Sequence, residues 1–512
     1  MTKWTTEGSV GKLLQWRVEE KPGHGFMFVE DDGPWTYRAI AAESVRAADE
    51  LAAVGVGPAS LVAIRAGNDE RFLAAAAGAW MLGAGVVAMH PGAPANDVIN
   101  VVESMRVQAV VCDPADSAAL SSGIPAVVML RFPADGRADC DELVERFAVP
   151  DTVDGSSAAL VLLTSGSTGK PKGVVLSHDN AWSNLRATVS AFRSDTSPTA
   201  IPAIAKPPNL IANPLSHTAG VVRLLFALYV GRSVALLRKF DGVVTKRLID
   251  RHGIDNLTIN PAMMRILLEQ LPGDADLGGV RYVSSGTAPL PAALREQFEE
   301  RFGVPVLQAY GQTEAFGGIA IESVRDVLAG KRRPGSVGRP LPGVELRVVD
   351  SAGADVPRGE IGELLVRSKS STTGYLGADV QRPVDHDGWL RTGDQGRTDD
   401  EGYLYITGRL KNIIICGGFN VVPEEVEAAL AVDERVRDAA VLGVPDERLG
   451  EIPVALIESD DDAQSVLERA AGRLAPYKRP RRIFVVDLLP RVPNGKVDRP
   501  AATALAQAMC IT

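Results

Sequence analysis

Residues 160–176, LVLLTSGSTGKPKGVVL, constrain this chain more than any other stretch. The apolar run at its start has the length and composition of a buried strand, and Val174–Leu176 supplies a second. Between them lie hydroxyls, lysines and three glycines, Gly166, Gly169 and Gly173. The glycines let the backbone turn back on itself and bring its N–H groups close to a ligand. The hydroxyls with Lys170 and Lys172 add donors and positive charge, which is chemistry for holding phosphates. The loop is not a Walker A loop, G-x4-G-K-[ST]. Only two residues separate Gly166 from Gly169, and Pro171 stands where the magnesium-binding hydroxyl would be. Taken alone, the segment reads equally well as a flexible Ser/Gly turn with solvated lysines.

A chain of 512 residues exceeds one ordinary core and implies two or more domains. Apolar residues make up 46% and charged residues 23%, the proportions of a soluble globular protein. A net charge of −10 argues against general nucleic-acid or acidic-membrane binding, though a local basic pocket remains compatible with it. Cys112, Cys140, Cys416 and Cys510 are scattered, with no C-x-x-C pair, so the expectation is a reduced, cytoplasmic chain without a cysteine metal site. The N-terminus lacks the apolar core of a signal peptide. The strongest membrane candidate, Gly220–Leu237, carries Arg223 and Arg232 and so fails as a spanning helix.

Strand-length apolar runs alternate with helix-period stretches, which is an α/β signature. Leu61–Ile64, Val107–Cys112, Ala126–Leu130, Val234–Leu237 and Tyr282–Ser284 read as strands. Ser177 and Asp179 offer caps for a helix with Trp182, Leu185, Val189 and Phe192 on one face. From about residue 335 Gly and Pro become frequent, and Val344–Val349, Gly362–Val366 and Tyr403–Thr407 read as short strands. Beyond Gly408-Arg409-Leu410-Lys411-Asn412, strands are expected at Ile413–Cys416, Ala439–Val444, Ile452–Ile457 and Arg482–Val486. Helices are expected from Pro423 and between Gln464 and Leu474. The expected organisation is therefore a large domain over 1–408, a linker at 409–412 that suits a hinge or an ordinary surface turn, and a small α+β domain over 413–512.

Five further segments carry chemistry. Ser285-Gly286-Thr287-Ala288-Pro289 follows a strand and suits close backbone approach to a flat ligand. Tyr310-Gly311-Gln312-Thr313-Glu314 combines an aromatic face, a permissive glycine and a carboxylate suited to a hard cation. Thr392-Gly393-Asp394 places a carboxylate after a turn, as a ribose diol would need. The linker and Pro493-Asn494-Gly495-Lys496-Val497, a lysine on a glycine turn, complete the set. Each alone is usually just a solvated loop.

As an ordered set, these segments resemble the acyl-adenylate-forming superfamily, in its acyl- and aryl-CoA ligase branch. The resemblance runs from about Leu13 to Lys496, and the loop at 164–173 and Tyr310–Glu314 match that family's motifs residue for residue. It implies a multi-subdomain adenylation domain with a small mobile α+β domain, and ATP, Mg²⁺ and CoA as reactants or cofactors. It implies that Thr164, Ser165, Gly166, Ser167, Thr168, Gly169, Lys170 and Lys172 hold ATP phosphates, and that Thr164 and Glu314 position Mg²⁺. By the same resemblance Gly286, Ala288 and Tyr310 bracket the adenine, and Thr287, Pro289, Gly311, Gln312 and Thr313 also bind ATP. Asp394 and Arg409 would hold the ribose, and Lys496 would reach the carboxylate and the α-phosphate. Lys411 would be the hinge about which the small domain turns, after which Gly417, Gly418 and Phe419 would line a tunnel for the CoA thiol. Cys416 beside them reads as a buried strand residue.

The implied reaction is ATP-dependent activation of a carboxylic acid to an acyl-adenylate, followed by transfer to CoA. Loading of a pantetheinylated carrier protein and a non-catalytic nucleotide-binding scaffold are the alternatives. Asn213-Pro214-Leu215-Ser216-His217 resembles the Pro-x-x-His stretch of CoA ligases, placing His217 at the mouth of an acyl pocket or making it a structural histidine. Val222, Arg223, Gly311, Phe316 and Gly317 are expected around that pocket. Arg223 reads as an exposed or snorkelling side chain, or, if it faces the pocket, as a partner for a second polar group on the acid. The basic run Lys478–Arg482 suits CoA phosphates or a solvated loop.

Overall fold

The computed structural model describes residues 8–120, 124–129, 141–165, 171–192, 207–377, 382–417, 419–471, 473–492 and 495–511. The apolar runs assemble into five sheets. The largest has seven strands, in the order Gly374–Leu376, Pro171–Ser177, Ala158–Ser165, Gly85–Met89, Leu61–Arg65, Ala109–Cys112 and Val127–Met129. From Ala158–Ser165 to Val127–Met129 the strands run parallel. Parallel strands are covered on both faces, which is why Gly85–Met89 is apolar throughout and buried at every residue. An antiparallel hairpin closes one side of this parallel set, with Thr164 opposite Lys172 and Leu163 opposite Gly173. Its tip, Gly166, Ser167, Thr168, Gly169 and Lys170, lies outside the described residues, as does the Ser165 side chain.

The hairpin feeds directly into the helix His178–Phe192. Ser177 Oγ accepts from the Asn180 N–H at 3.1 Å, and Asn180 Oδ1 accepts from the Ser177 N–H at 2.9 Å. This reciprocal cap uses Ser177 alone of the two candidates, while Asp179 sits in the first turn near the positive end of the helix dipole. Trp182 and Leu185 are buried on the expected face.

Two further sheets follow. One is ordered Trp35–Thr36, Gly25–Val29, Val234–Leu236, Asn209–Ile211, and the other Asn256–Ile259, Tyr282–Ser285, Val306–Gln312, Gly317–Ile321, Arg339–Pro340. Leu257, Ile259, Val283 and Val306 pack on the helices Pro261–Gln270 and Ala292–Phe302 through Met264, Leu267 and Phe298. The membrane candidate is divided between the helix Thr218–Val230 and the strand Val234–Leu236. Among the described residues no helix is long and apolar enough to cross a membrane.

An antiparallel sheet follows, Glu345–Val349, Gly362–Arg367, Leu390–Thr398 and Leu404–Arg409. Pairing with Leu390–Thr398 carries its last strand through Gly408 to Arg409, two residues past Thr407, where the sequence reading ends it. A single 3₁₀ turn, Leu410–Asn412, leads into the final sheet. There Phe419–Val421, Ile414–Cys416, Gly450–Ser459 and Val436–Asp446 lie in order, with Arg482–Val485 beside Gly450–Ser459. Its cores, built from Ile414, Val426, Val441 and Ile457 and from Leu442, Leu456, Ala502 and Ala506, draw every member from beyond residue 412.

Candidate functional site

Asp394 and Arg409 are register partners on antiparallel strands, and Arg409 Nε lies 2.6 Å from Asp394 Oδ1. Tyr310 and Gln312, two residues apart on one face of their strand, both donate to Asp394 Oδ2, at 2.7 Å and 2.6 Å. Gln312 Nε2 also donates to the Thr392 carbonyl at 2.9 Å. The carboxylate is thus fixed from both sides and is only 2% exposed. Burial, with Asp394 as acceptor, raises the Tyr310 hydroxyl far above the ordinary tyrosine range, so it remains a donor. Between these residues the register shifts, and a Cβ on Gly311 would lie 1.8 Å from the Gly317 carbonyl oxygen. Only glycine fits there.

Glu314 stands on the 3₁₀ turn Thr313–Ala315 that follows. Tyr375 OH donates to its Oε1 at 3.0 Å, and the Thr372 N–H donates to its carbonyl at 2.7 Å. The Tyr375 ring in turn lies under the Lys172 ammonium, 5.3 Å away, which joins Glu314 to the glycine hairpin. Burial first, then Glu314, raises the Tyr375 hydroxyl well above its usual range. Sequence reasoning missed Tyr375 and Thr372. The available signal was Gly374-Tyr375 after a Ser/Thr run, a glycine–aromatic pair like Tyr310-Gly311.

Lys496 reaches the same cluster from the last sheet's side of the chain. Burial and then Arg409 bring its pKa from 10.5 to about 8, while Asp394 and Glu314 oppose the change. Its turn is braced by the Val492 N–H on the Lys496 carbonyl at 2.9 Å and by Arg491 Nη1 on the Gly495 carbonyl at 3.1 Å. Pro493 and Asn494 lie outside the described residues. Arg491 Nη2 also binds Asp438 Oδ2 at 2.6 Å, and that oxygen lies 3.3 Å from Arg265 Nη1 on the helix Pro261–Gln270. Lys411, expected only as a hinge, has its amine in the cluster too. Burial and then Arg409 hold it below the usual lysine range, with Lys172 adding to the effect and Asp394 and Glu314 resisting it. Among the described residues, Lys172, Arg409, Lys411 and Lys496 thus converge on a site where Glu314 and Asp394 are the compensating carboxylates.

His217 caps the helix Thr218–Val230, with Nδ1 accepting the Ala219 N–H at 3.3 Å. Burial and then Lys496 lower its pKa to about 4, so it is neutral at physiological pH with its proton on Nε2. Thr218 Oγ1 and Thr313 Oγ1 are 2.8 Å apart, tying this helix to the Glu314 turn. Val222 faces Gly317, 3.7 Å from where a Cβ would stand. Gly286, Thr287, Ala288 and Pro289 follow the strand Tyr282–Ser285, and Thr287 holds a left-handed φ of 69°. Two expectations change. Phe316 is 1% exposed and packs in the main core, so it backs the pocket wall and does not line it. Arg223 is half-buried, and burial lowers its pKa to about 10, so its guanidinium is not a freely exposed group.

Gly417 opens a hairpin turn at φ 57°, and Gly418 lies outside the described residues. Phe419 is 56% exposed and stacks on Tyr477 at 4.8 Å, so this segment is not brought to the Asp394–Lys496 cluster. Cys416 is buried in its strand, as expected. In the basic run Lys478 pairs with Glu425 at 2.6 Å, and Arg479 and Arg482 donate to the Leu474 and Cys510 carbonyls.

The AMP-binding enzyme family matches residues 14–376, and the AMP-binding enzyme C-terminal domain matches residues 425–496. The chain belongs to the AMP-binding enzymes. This AMP-binding enzyme is 30% identical to a long-chain-fatty-acid–CoA ligase of Mycobacterium tuberculosis, over 96% of this chain and 97% of that one. The o-succinylbenzoate CoA synthetase of Bacillus subtilis, solved with its acyl-adenylate intermediate, superposes with a TM-score of 0.81 at 27% identity, covering 95% of this chain and 97% of that one. The same synthetase solved with ATP and magnesium superposes at 0.80 and 27%, covering 95% and 98%. ATP-bound MatB from Rhodopseudomonas palustris superposes at 0.84 and 28%, covering 98% and 99%, whereas apo MatB superposes at 0.73 with the same identity and coverage.

Proposed function

We propose that this AMP-binding enzyme is an AMP-forming carboxylic acid–CoA ligase that works by two half-reactions on one site. The observation that carries the reading is Lys496, which stands amid Glu314, Asp394, Arg409 and His217 although its own turn belongs to the part of the chain beyond residue 412. In the first half-reaction a carboxylate oxygen attacks the α-phosphorus of ATP, and the bond to pyrophosphate breaks. Two anions must meet, so fixed cations are the main lever. Lys172, with the hairpin residues Thr164–Lys170, serves the departing phosphates, and Lys496 serves the carboxylate and α-phosphate. Asp394, oriented by Tyr310, Gln312 and Arg409, receives the ribose hydroxyls, while Gly286–Pro289 and Tyr310 flank the adenine.

The donor set suits Mg²⁺. Among the described residues no group of three or more His, Cys, Asp or Glu could form a cage. A lone carboxylate, Glu314, with the Thr164 hydroxyl matches a cation that takes most of its remaining ligands from phosphate and water. When bound, Mg²⁺ supplies neutralisation of phosphate charge. His217, neutral and donating from Nε2, orients the acid's oxygen at the pocket mouth.

In the second half-reaction the CoA thiol loses its proton and attacks the acyl carbonyl, and AMP leaves. Residues 409–412 form the pivot between the large domain, 1–408, and the small one, 413–512, and turning there withdraws Lys496 and brings Gly417–Phe419 to the site. The better superposition on ATP-bound than on apo MatB supports an arrangement poised for the first half-reaction. Acidic charge and scattered thiols suit a cytoplasmic enzyme without nucleic-acid partners. Purified protein with ATP, Mg²⁺ and a panel of acids should release pyrophosphate, and should form thioester with free CoA. Acid-dependent pyrophosphate release without any thioester on CoA would exclude CoA as acceptor and favour a carrier protein.

A further inference from the structure

The helix Thr218–Val230 buries Val221, Leu224, Leu225 and Leu228, but leaves Ala219, Val222, Arg223 and Phe226 less covered. These four recur at i, i+3, i+4 and i+7, so one face of the helix is less covered than the other, although Val222 and Phe226 touch the main core. That face looks toward the Gly317 strand, as the Val222–Gly317 approach establishes.

The opposite wall is the sheet. Val283, Leu257 and Ile259 point into the core on its far side, so strand alternation turns Tyr282, Ser284 and Thr258 the other way. Ser284 and Thr258 are register partners on neighbouring strands, as are Tyr282 and Asn256. Ser284 Oγ and Thr258 Oγ1 are buried, yet neither has a hydrogen-bond partner among the described residues. Buried hydroxyls are rarely left unpaired, and two at adjacent strand positions point to a ligand or water that completes them.

Arg223 adds charge to this wall. It retains some solvent contact, yet burial dominates its surroundings and lowers it to about 10. Its side chain is thus partly desolvated and partly open to solvent. After burial, the groups among the described residues that act on it are Tyr282 and Arg232, and neither is a carboxylate. The neighbouring carboxylate, Asp255, is taken by Arg232, by Arg281 at 2.9 Å and by Asn256 at 2.8 Å. A buried cation without an anion is costly unless a ligand supplies one.

We propose that Arg223, with Ser284, Thr258 and Tyr282, forms the far end of the acyl pocket, and that the enzyme takes acids bearing a second anionic group, a carboxylate or sulfonate, remote from the reacting carboxyl. The proposal rests on the ligase reading above. Arg223 lies six residues past His217, about 9 Å further along the helix axis.

The test compares kcat/KM for pyrophosphate release with straight-chain dicarboxylic acids and length-matched monocarboxylic acids. Wild type should favour a diacid by ~100-fold at the best length, and Arg223→Leu should erase that ratio while Arg223→Lys keeps part of it. No diacid preference at any length, or a preference untouched by Arg223→Leu, would overturn the proposal and leave the ligase reading standing. No pyrophosphate release with any acid would overturn both. The wild-type comparison decides the matter even if Arg223→Leu does not fold.

Discussion

Neutralising Lys496 by pH should separate the two half-reactions. Its pKa of about 8, against the ordinary 10.5, means that the site disfavours the ammonium by ~3 kcal/mol before substrates bind. The sign follows from a depressed lysine: the charge is present below about 8 and is lost as pH rises through that value. Between pH 7 and 9 the charged fraction falls about tenfold, so kcat/KM for adenylation should fall about tenfold. Conversion of supplied acyl-adenylate and CoA to thioester does not use this charge and should show no such loss. Lys496→Arg keeps its charge throughout and should flatten the alkaline limb, at a lower plateau because the fork-shaped group replaces a point charge. Lys496→Ala should lose most adenylation at every pH and still complete the second half-reaction. Pyrophosphate release and thioester formation from pH 6.5 to 9.5 measure both steps. An alkaline limb that persists in Lys496→Arg, or a parallel loss of both half-reactions in Lys496→Ala with the fold intact, would refute the reasoning. The same desolvation would favour the proposed withdrawal of Lys496: once pyrophosphate departs, fewer anions would hold the ammonium, and a turn toward water would relieve it.

Three other outcomes are expected. Arg265→Ala removes the contact across which the large domain meets Asp438, itself bonded to the Arg491 that braces the Lys496 turn. It should slow adenylation several-fold and spare thioester formation from acyl-adenylate, and equal slowing of both steps would count against a role in domain arrangement. Gly311→Ala drives a methyl into the Gly317 carbonyl, so the strand pair must part. A loss of ~2 kcal/mol or more in urea unfolding is expected, together with weakened ATP binding, and a neutral result would mean that the register shift relaxes freely. His178, 1% exposed and accepting the Val10 N–H at 3.0 Å, has its pKa lowered by burial to about 4. The unfolded chain therefore binds a proton below about 6.5 that the folded chain refuses, so this histidine should cost ~2 kcal/mol of stability between pH 7.5 and 5. His178→Gln should reduce that slope in paired urea titrations, and an unchanged slope would assign the acid loss to other groups.

Much of the fold was legible because local patterns and tertiary packing agree. The run at 160–176 became a hairpin ahead of a capped helix, as its apolar periods require. Where neighbours decide, local reading fell short. Asp179 has the chemistry of a cap, but the chain enters the helix one residue after Ser177. One strand reads as ending at Thr407, yet pairing with Leu390–Thr398 carries it through Gly408 to Arg409. Phe316 looked like pocket lining, but the main core takes it.

The sequence by itself determined the reactive inventory. A glycine-rich phosphate loop, a Tyr-Gly-Gln-Thr-Glu segment, a turn aspartate and a C-terminal lysine are local motifs whose residue types carry their own chemistry. Only the tertiary structure decided how those groups act on one another. Residues 172, 314, 394, 409, 411 and 496 are far apart in the chain, and mutual electrostatics exist only once folding brings them into one water-poor site. The same reason separates Tyr375 and Arg223 from the motifs. What each does depends on what surrounds it, and no spacing in the sequence encodes that enclosure.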